Sequence, residues 1–215
     1  PLLRDLLKTM RPKQWTKNAL VFIGFIFTLN KKWTLFSPTM WDWLARTLVA
    51  FVLLCAVSSA VYILNDVLDI DKDRAHPVKR NRPLPAGRIT PRQAIAAMLV
   101  LLGVALPASF LLSPLFGLVV AGYYVLMVAY SLWLKHMVLI DIFTIAGGFV
   151  LRAVAGAVVI DVAISPWLFL CTLLGSLFIG FGKRRHELLL LNNGASNHRQ
   201  ILAEYTPDLL EQIIT

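Results

Sequence analysis

NDVLDIDKDRAHPVKRNRPLPAG, residues 65–87, follows directly on the apolar run LVAFVLLCAVSSAVYIL, residues 48–64. The 23-residue stretch holds four aspartates and five Lys/Arg, in a chain that is 58% hydrophobic and only 15% charged. Soluble domains carry roughly 25% charged residues, and a mean hydropathy of +0.70 places this chain with membrane proteins. A spanning helix needs about 20 mostly apolar residues. Six such runs are expected, at about 17–36, 44–65, 93–112, 114–134, 137–160 and 164–182, and the remaining polar chain is too short to sheath six buried helices in water. The charge cluster therefore sits where an apolar helix leaves the bilayer.

The expected architecture is all-α, a single polytopic transmembrane helical bundle over residues 1–215 with cap loops at about 66–92 and 183–206. No short basic leader with a small-residue cleavage pattern opens the chain, so the first apolar run is read as a retained helix. The chain starts at Pro1 without Met and stops as DLLEQIIT begins a new apolar pattern, so it is expected to be a fragment with at least one further helix after it. With alternating spans, one side collects 17 Lys/Arg against 3 on the other. Short cytoplasmic segments attract such an excess, which puts the N-terminus and the charge-rich loops in the cytoplasm of a multi-pass plasma-membrane protein. That bias and anionic lipid account for the net charge of +9, and no nucleic-acid partner is expected. Cys55 and Cys171 lie in apolar runs without paired spacing, and the four His are scattered, so neither a disulfide framework nor a zinc site is expected.

If the second span continues in helical register to residue 73, then Asn65, Asp69, Asp73 and Asp66 fall within an arc of about 100°, while Asp71 points well away from them. Like charges at that spacing repel, and unpaired carboxylates at the edge of a low-dielectric medium are costly. A cation must sit among them. It is either Mg²⁺, which suits oxygen-only carboxylate sites that share it with substrate phosphates, or the neighbouring bases Lys72, Arg74, Lys79 and Arg80. Pro77, Pro83 and Pro85 end the helix, and Lys79, Arg80 and Arg82 would reach a phosphate held by the same ion.

Asn65, Asp66, Asp69 and Asp73, with the trailing HPVKRNRPLPAG, resemble the first aspartate motif of the UbiA superfamily of intramembrane prenyltransferases. The resemblance implies a nine-span helical fold, of which this chain would hold about six, and a Mg²⁺-diphosphate site under a cytoplasmic cap. Asp66, Asp69 and Asp73 would then be the catalytic carboxylates, and Asn65 would join them as metal ligand. Typical members carry a second aspartate motif after the sixth span. Here that stretch reads GKRRHELLLLNNG (182–194), with Lys183, Arg184 and Arg185 beside Glu187 in place of a carboxylate cluster. Guanidinium and ammonium groups hold a phosphate directly.

A site built for Mg²⁺-diphosphate at one end and for bare phosphate at the other suits 5-phosphoribose 1-diphosphate. RPKQWTKN (11–18), YSLWLKH (130–136), Asp141 with the continuation LRAVAGA (151–157), and GKRRHEL resemble the branch of that family that transfers 5-phosphoribose to decaprenyl phosphate for cell-wall arabinan. The branch implies Mg²⁺ as cofactor, with 5-phosphoribose 1-diphosphate and a polyprenyl phosphate as substrates. In that scheme diphosphate departs from the anomeric carbon and the lipid phosphate attacks from the opposite face; being already ionised, it needs no general base. Arg11, Lys17 and Lys135 are candidates for the acceptor phosphate, with Asn18 and Tyr130 from the same matching stretches. Asp141 and Arg152 share a helical face but lie about 16 Å apart along it, so both are expected to line the chamber rather than pair with each other.

Two rivals remain. A conventional prenyltransferase of the same fold would call for a second Mg²⁺ site, which GKRRHEL does not supply. A transporter for an anionic solute would favour internal repeats with broken helices, and no convincing repeat is present.

Overall fold

The computed structural model describes residues 2–190, with side chains described through His186. It is helical throughout: α1 Leu2–Thr9, a 3₁₀ segment Pro12–Phe22 running into α2 Ile23–Phe27, α3 Pro38–Leu68, α4 Ile70–Ala75, α5 Pro91–Leu112, α6 Pro114–Leu132, α7 Ile140–Val159 and α8 Pro166–Leu190. Among the described residues, α3, α5, α6, α7 and α8 are long and apolar enough to cross a membrane. The chain is thus a multi-pass membrane protein.

The first expected crossing, 17–36, is not among these five: the chain there forms a 3₁₀ segment and a short helix instead of one long α-helix. It begins at Pro12 as eleven residues of 3₁₀ helix, whose greater rise lets 12–27 extend about 30 Å. It runs antiparallel to α3, shown by successive contacts of Trp15 with Ser59, Asn18 with Ser58 and Cys55, and Phe22 with Phe51. Residues beyond Phe27 turn back instead of continuing the helix. Trp33 stacks on Phe25 at 4.4 Å and donates from Nε1 to the Phe25 carbonyl and to Thr28 Oγ1, sealing the turn.

Close backbone approach fixes this segment against α7. A Cβ on Gly156 would meet the Val21 carbonyl oxygen at 1.9 Å, and one on Gly24 would lie 3.1 Å from Ala157 Cα. The core they frame holds Val21, Leu54, Val57, Phe116, Val120, Tyr123 and Ala155.

Of the other helices, α5, α6 and α7 keep within about three residues of their expected limits, whereas α3 begins at Pro38, ahead of the expected 44, and α8 runs on to Leu190, past the expected 182. Ser37, Thr90 and Ser113 accept from the backbone N–H three residues on, each with Pro at the first helical position. At Thr90 the Gln93 side chain completes the reciprocal bond. The cap loop after α4 is anchored by Leu84 and Ile89, which are buried against Ile63 and Ala94. One boundary is corrected: the second expected cap loop, 183–206, begins as a continuation of α8, helical through Leu190, and its remainder lies outside the described residues.

Candidate active site

The turn at Asp69 interrupts the helix only slightly. Asp69 N–H still bonds to the Asn65 carbonyl and Asp73 N–H to the Asp69 carbonyl, so the register assumed from the sequence survives the α3–α4 junction. Asp66 and Asp73 are buried, and Arg82 Nη1 bridges them, 3.3 Å from Asp66 Oδ1 and 2.7 Å from Asp73 Oδ2. Arg11 also donates to Asp66 Oδ1 while its guanidinium lies 4.9 Å from the centre of the Tyr62 ring. Lys79 Nζ is 3.6 Å from Asp73. Lys135 Nζ reaches both oxygens of Asp69, at 2.8 and 2.9 Å. Asp71 points out to solvent beside Arg74.

Four separate segments therefore converge: the start of the first crossing, the α3–α4 turn, the cap loop and the connection after α6. Of the acceptor candidates, Arg11 and Lys135 are salt-bridged to the aspartate face. Arg80 is exposed on the turn Lys79–Asn81.

The donor set fits a hard divalent ion. Asn65 Oδ1 is buried without a hydrogen-bond partner, beside three carboxylates of the same two turns, and buried polar atoms are rarely left so. An amide oxygen with Asp66, Asp69 and Asp73 is the oxygen-only chemistry that Mg²⁺ takes. Among the described residues no three His, Cys, Asp or Glu side chains are gathered closely enough to hold an ion, and each of these carboxylates faces a base.

The basic exit of α8 is split by helical geometry, since consecutive residues point about 100° apart. Arg184 turns inward: its Nε and Nη2 donate to Asp141 Oδ2 at 3.1 and 2.8 Å, and both residues are buried. Gly180, where a Cβ would meet Ile142 Cγ2 at 2.7 Å, brings α8 close enough to α7 for this pair to form. Lys183 and Lys17 are both exposed. Arg185 and Tyr130 are half-buried. The Glu187 side chain lies outside the described residues.

Asp141, Arg184, Asn18 and Arg152, all candidates from the sequence, are enclosed by protein. Arg184 is a buried partner of Asp141, so neither stands open to a ligand as the sequence suggested. Asn18 is fully buried and accepts from Arg152 Nε at 2.7 Å; its amide nitrogen faces Ser58 and Cys55, so it positions Arg152 rather than presenting itself to a phosphate. Arg152 is itself enclosed. Its Nη1 donates to the Gly148 carbonyl, its Nη2 to the Tyr123 hydroxyl, and the Tyr123 and Phe149 rings lie 4.7 and 5.2 Å from its charge. Sequence reasoning missed Tyr62 and Tyr123. Tyr62 could have been found four residues before Asp66, one helical turn away; Tyr123 stands on another helix and carries no local signal.

The comparisons with known proteins accord with this geometry. Residues 19–184 match the UbiA prenyltransferase family. The chain belongs to that family. Two UbiA-related proteins named decaprenyl-phosphate phosphoribosyltransferase align with 100% of this chain: that of Mycolicibacterium smegmatis is 37% identical, with 66% of its own length covered, and that of Mycobacterium tuberculosis is 34% identical, with 70% covered. The chain thus spans about two thirds of the length of these curated relatives. A UbiA homolog from Archaeoglobus fulgidus, solved bound to GPP and Mg²⁺, superposes with a TM-score of 0.77 at 18% identity, covering 98% of this chain and 72% of that one. The UbiA fold is shared.

Proposed function

We propose that the protein catalyses Mg²⁺-dependent transfer of 5-phosphoribose from 5-phosphoribose 1-diphosphate to a polyprenyl phosphate, decaprenyl phosphate by the relatives' name, releasing diphosphate. The product would supply lipid-linked arabinose for cell-wall arabinan. The reading is carried by one observation: the aspartate face is ringed by bases, while the GKRRHEL stretch of α8 presents an exposed Lys183 and no carboxylate cluster where typical members hold their second aspartate motif. The whole-chain likeness to two phosphoribosyltransferases supports it.

Asn65, Asp66, Asp69 and Asp73 would hold Mg²⁺, which supplies Lewis-acid stabilisation to a departing diphosphate. Lys79 and Arg82 lie beside these carboxylates and would donate to the diphosphate oxygens as charge develops there, with Arg80 at the rim. Lys183 and Lys17 would hold the sugar 5-phosphate, with Arg185 alongside, and Arg11 and Lys135, salt-bridged to the aspartate face, would meet both the diphosphate and the incoming lipid phosphate. The anomeric C–O bond to diphosphate breaks, and a phosphate oxygen of the lipid forms the new one from the opposite face. That oxygen carries no proton at neutral pH, so no side chain has to remove one. The polyprenyl tail would remain in the bilayer of the plasma membrane, with the N-terminus and the charged end of the bundle on the cytoplasmic side, an orientation that the Lys/Arg bias of the sequence supports.

Donor choice tests this reading against ordinary prenyl transfer. Full-length protein is offered labelled 5-phosphoribose 1-diphosphate and labelled prenyl diphosphate in parallel, each with its acceptors. Label from the sugar donor alone is expected to enter lipid; transfer from prenyl diphosphate alone would return the chain to the prenyltransferases.

A further inference from the structure

The bases on the aspartate face come from three places far apart in sequence: Arg11 ahead of the first crossing, Arg82 in the cap loop and Lys135 after α6. Two of these three segments turn at residues other than glycine with a left-handed backbone, Arg11 itself at φ 54° and Leu139 at φ 65°. Such conformations are costly for these residue types and persist where surrounding contacts enforce them, often at sites that rearrange. Between them the bases engage Asp66, Asp69 and Asp73, while the neighbouring Asn65 oxygen is left without a partner.

We propose that Arg11, Arg82 and Lys135 are exchangeable place-holders that couple metal entry to diphosphate entry, so that the aspartate face takes the ion and the anion together. The proposal rests on the metal-diphosphate reading of that face. An ion arriving alone would displace these three cations, and Lys79 from Asp73, and leave them unpaired beside a dication. Diphosphate arriving alone would draw the bases off and leave buried carboxylates facing an anion. With both present, carboxylates turn to the ion, bases turn to phosphate oxygens, and every charge keeps a partner. Coupling of this kind is reciprocal: whatever favour the anion does the ion, the ion returns. Lys135 is a positioning residue in this scheme, since it governs when Asp69 is free.

Full-length protein in lipid nanodiscs tests this without turnover, using Mn²⁺ followed by electron paramagnetic resonance and retention of labelled inorganic diphosphate. The wild type is expected to bind Mn²⁺ weakly by itself and to retain diphosphate only when Mn²⁺ is supplied. Lys135→Met should bind Mn²⁺ alone about tenfold more tightly and, at saturating Mn²⁺, hold diphosphate about tenfold more weakly, within the usual range of site coupling. Lys135→Arg should restore the wild-type pattern. Misfolding cannot produce a gain in Mn²⁺ affinity, and Arg11→Gln should show the same gain. Mn²⁺ affinity unchanged in both neutral variants, with wild-type diphosphate retention intact, would overturn the place-holder role alone. A wild type that binds neither Mn²⁺ nor diphosphate would overturn the metal-diphosphate reading and this proposal with it.

Discussion

Arg184 Nε and Nη2 both donate to Asp141 Oδ2, and neither side chain is more than 4% exposed. The pair ties the exit of α8 to the first turn of α7. α8 otherwise exposes most of its apolar surface, including Leu174, Phe178 and Ile179, so this pair and the Gly180 contact set where Lys183 and Arg185 emerge. Removing one partner breaks a buried ion pair, which costs about 3–5 kcal/mol. Asp141→Asn is therefore expected to lower the thermal unfolding midpoint of the detergent-solubilised protein sharply. The double variant Asp141→Leu with Arg184→Leu should recover much of the loss, and a double variant no better than the single one would contradict a pairwise role.

Arg152 makes a second test of buried charge. Its charge sits between Asn18, Gly148 and the hydroxyl and ring of Tyr123. Tyr123→Phe keeps the ring and removes one acceptor from a buried donor, a loss of about 1–3 kcal/mol. The unfolding midpoint should fall while the apparent affinity for sugar donor stays near wild type, because the guanidinium is enclosed by protein. A selective rise in donor KM would mean that Arg152 touches substrate after all.

Backbone contact between the first crossing and α7 predicts a contrast between two glycines. Gly156→Ala would drive a methyl into the Val21 carbonyl, whereas a Cβ on Gly175 meets nothing within 4 Å. Overpacking costs about 1–3 kcal/mol when neighbours can shift, and a main-chain carbonyl shifts poorly. Gly156→Ala should reduce folded yield and midpoint; Gly175→Ala should change neither.

The aspartate face was readable before the structure because its signal is local. Asn65, Asp66, Asp69 and Asp73 are related by helical periodicity, and Asp71, one position off that pattern, does point to solvent. The sequence left two cations open, a metal or the bases Lys72, Arg74, Lys79 and Arg80; in the structure bases do engage the carboxylates of that face, but of those four only Lys79 does, the others being Arg11, Arg82 and Lys135, while the Asn65 oxygen stays orphaned. The limits of α5 and α6 lie close to the ends of their apolar runs, whereas α3 starts at the Ser37 cap, ahead of the apolar run that marked it in the sequence. Pairings across helices were not. Arg184 looked like a phosphate ligand because a basic cluster at a helix exit gives no hint of a partner 43 residues away. Likewise nothing in RPKQWTKN announces a 3₁₀ crossing, whose tight path depends on Gly156 of a distant helix.

Residue roles in transfer separate by substrate. Asp69→Ala should lower Mg²⁺-dependent turnover by at least about 100-fold, the upper range for loss of a group that orders a metal site. Lys183→Ala should raise the KM for 5-phosphoribose 1-diphosphate more than that for polyprenyl phosphate, measured by steady-state kinetics with each substrate varied in turn. An effect confined to the lipid KM would exchange the assignments of Lys183 and Lys135.

The most direct measurement is lipid labelling. Full-length protein in membranes is incubated with Mg²⁺, polyprenyl phosphate and 5-phosphoribose 1-diphosphate labelled in the ribose, and label in the organic phase is counted with and without EDTA, for wild type and Asp69→Ala. The account predicts label in lipid for the wild type, lost with EDTA and lost in the variant. Transfer that persists in EDTA, or equal transfer by Asp69→Ala, would contradict a metal-dependent reaction on the aspartate face.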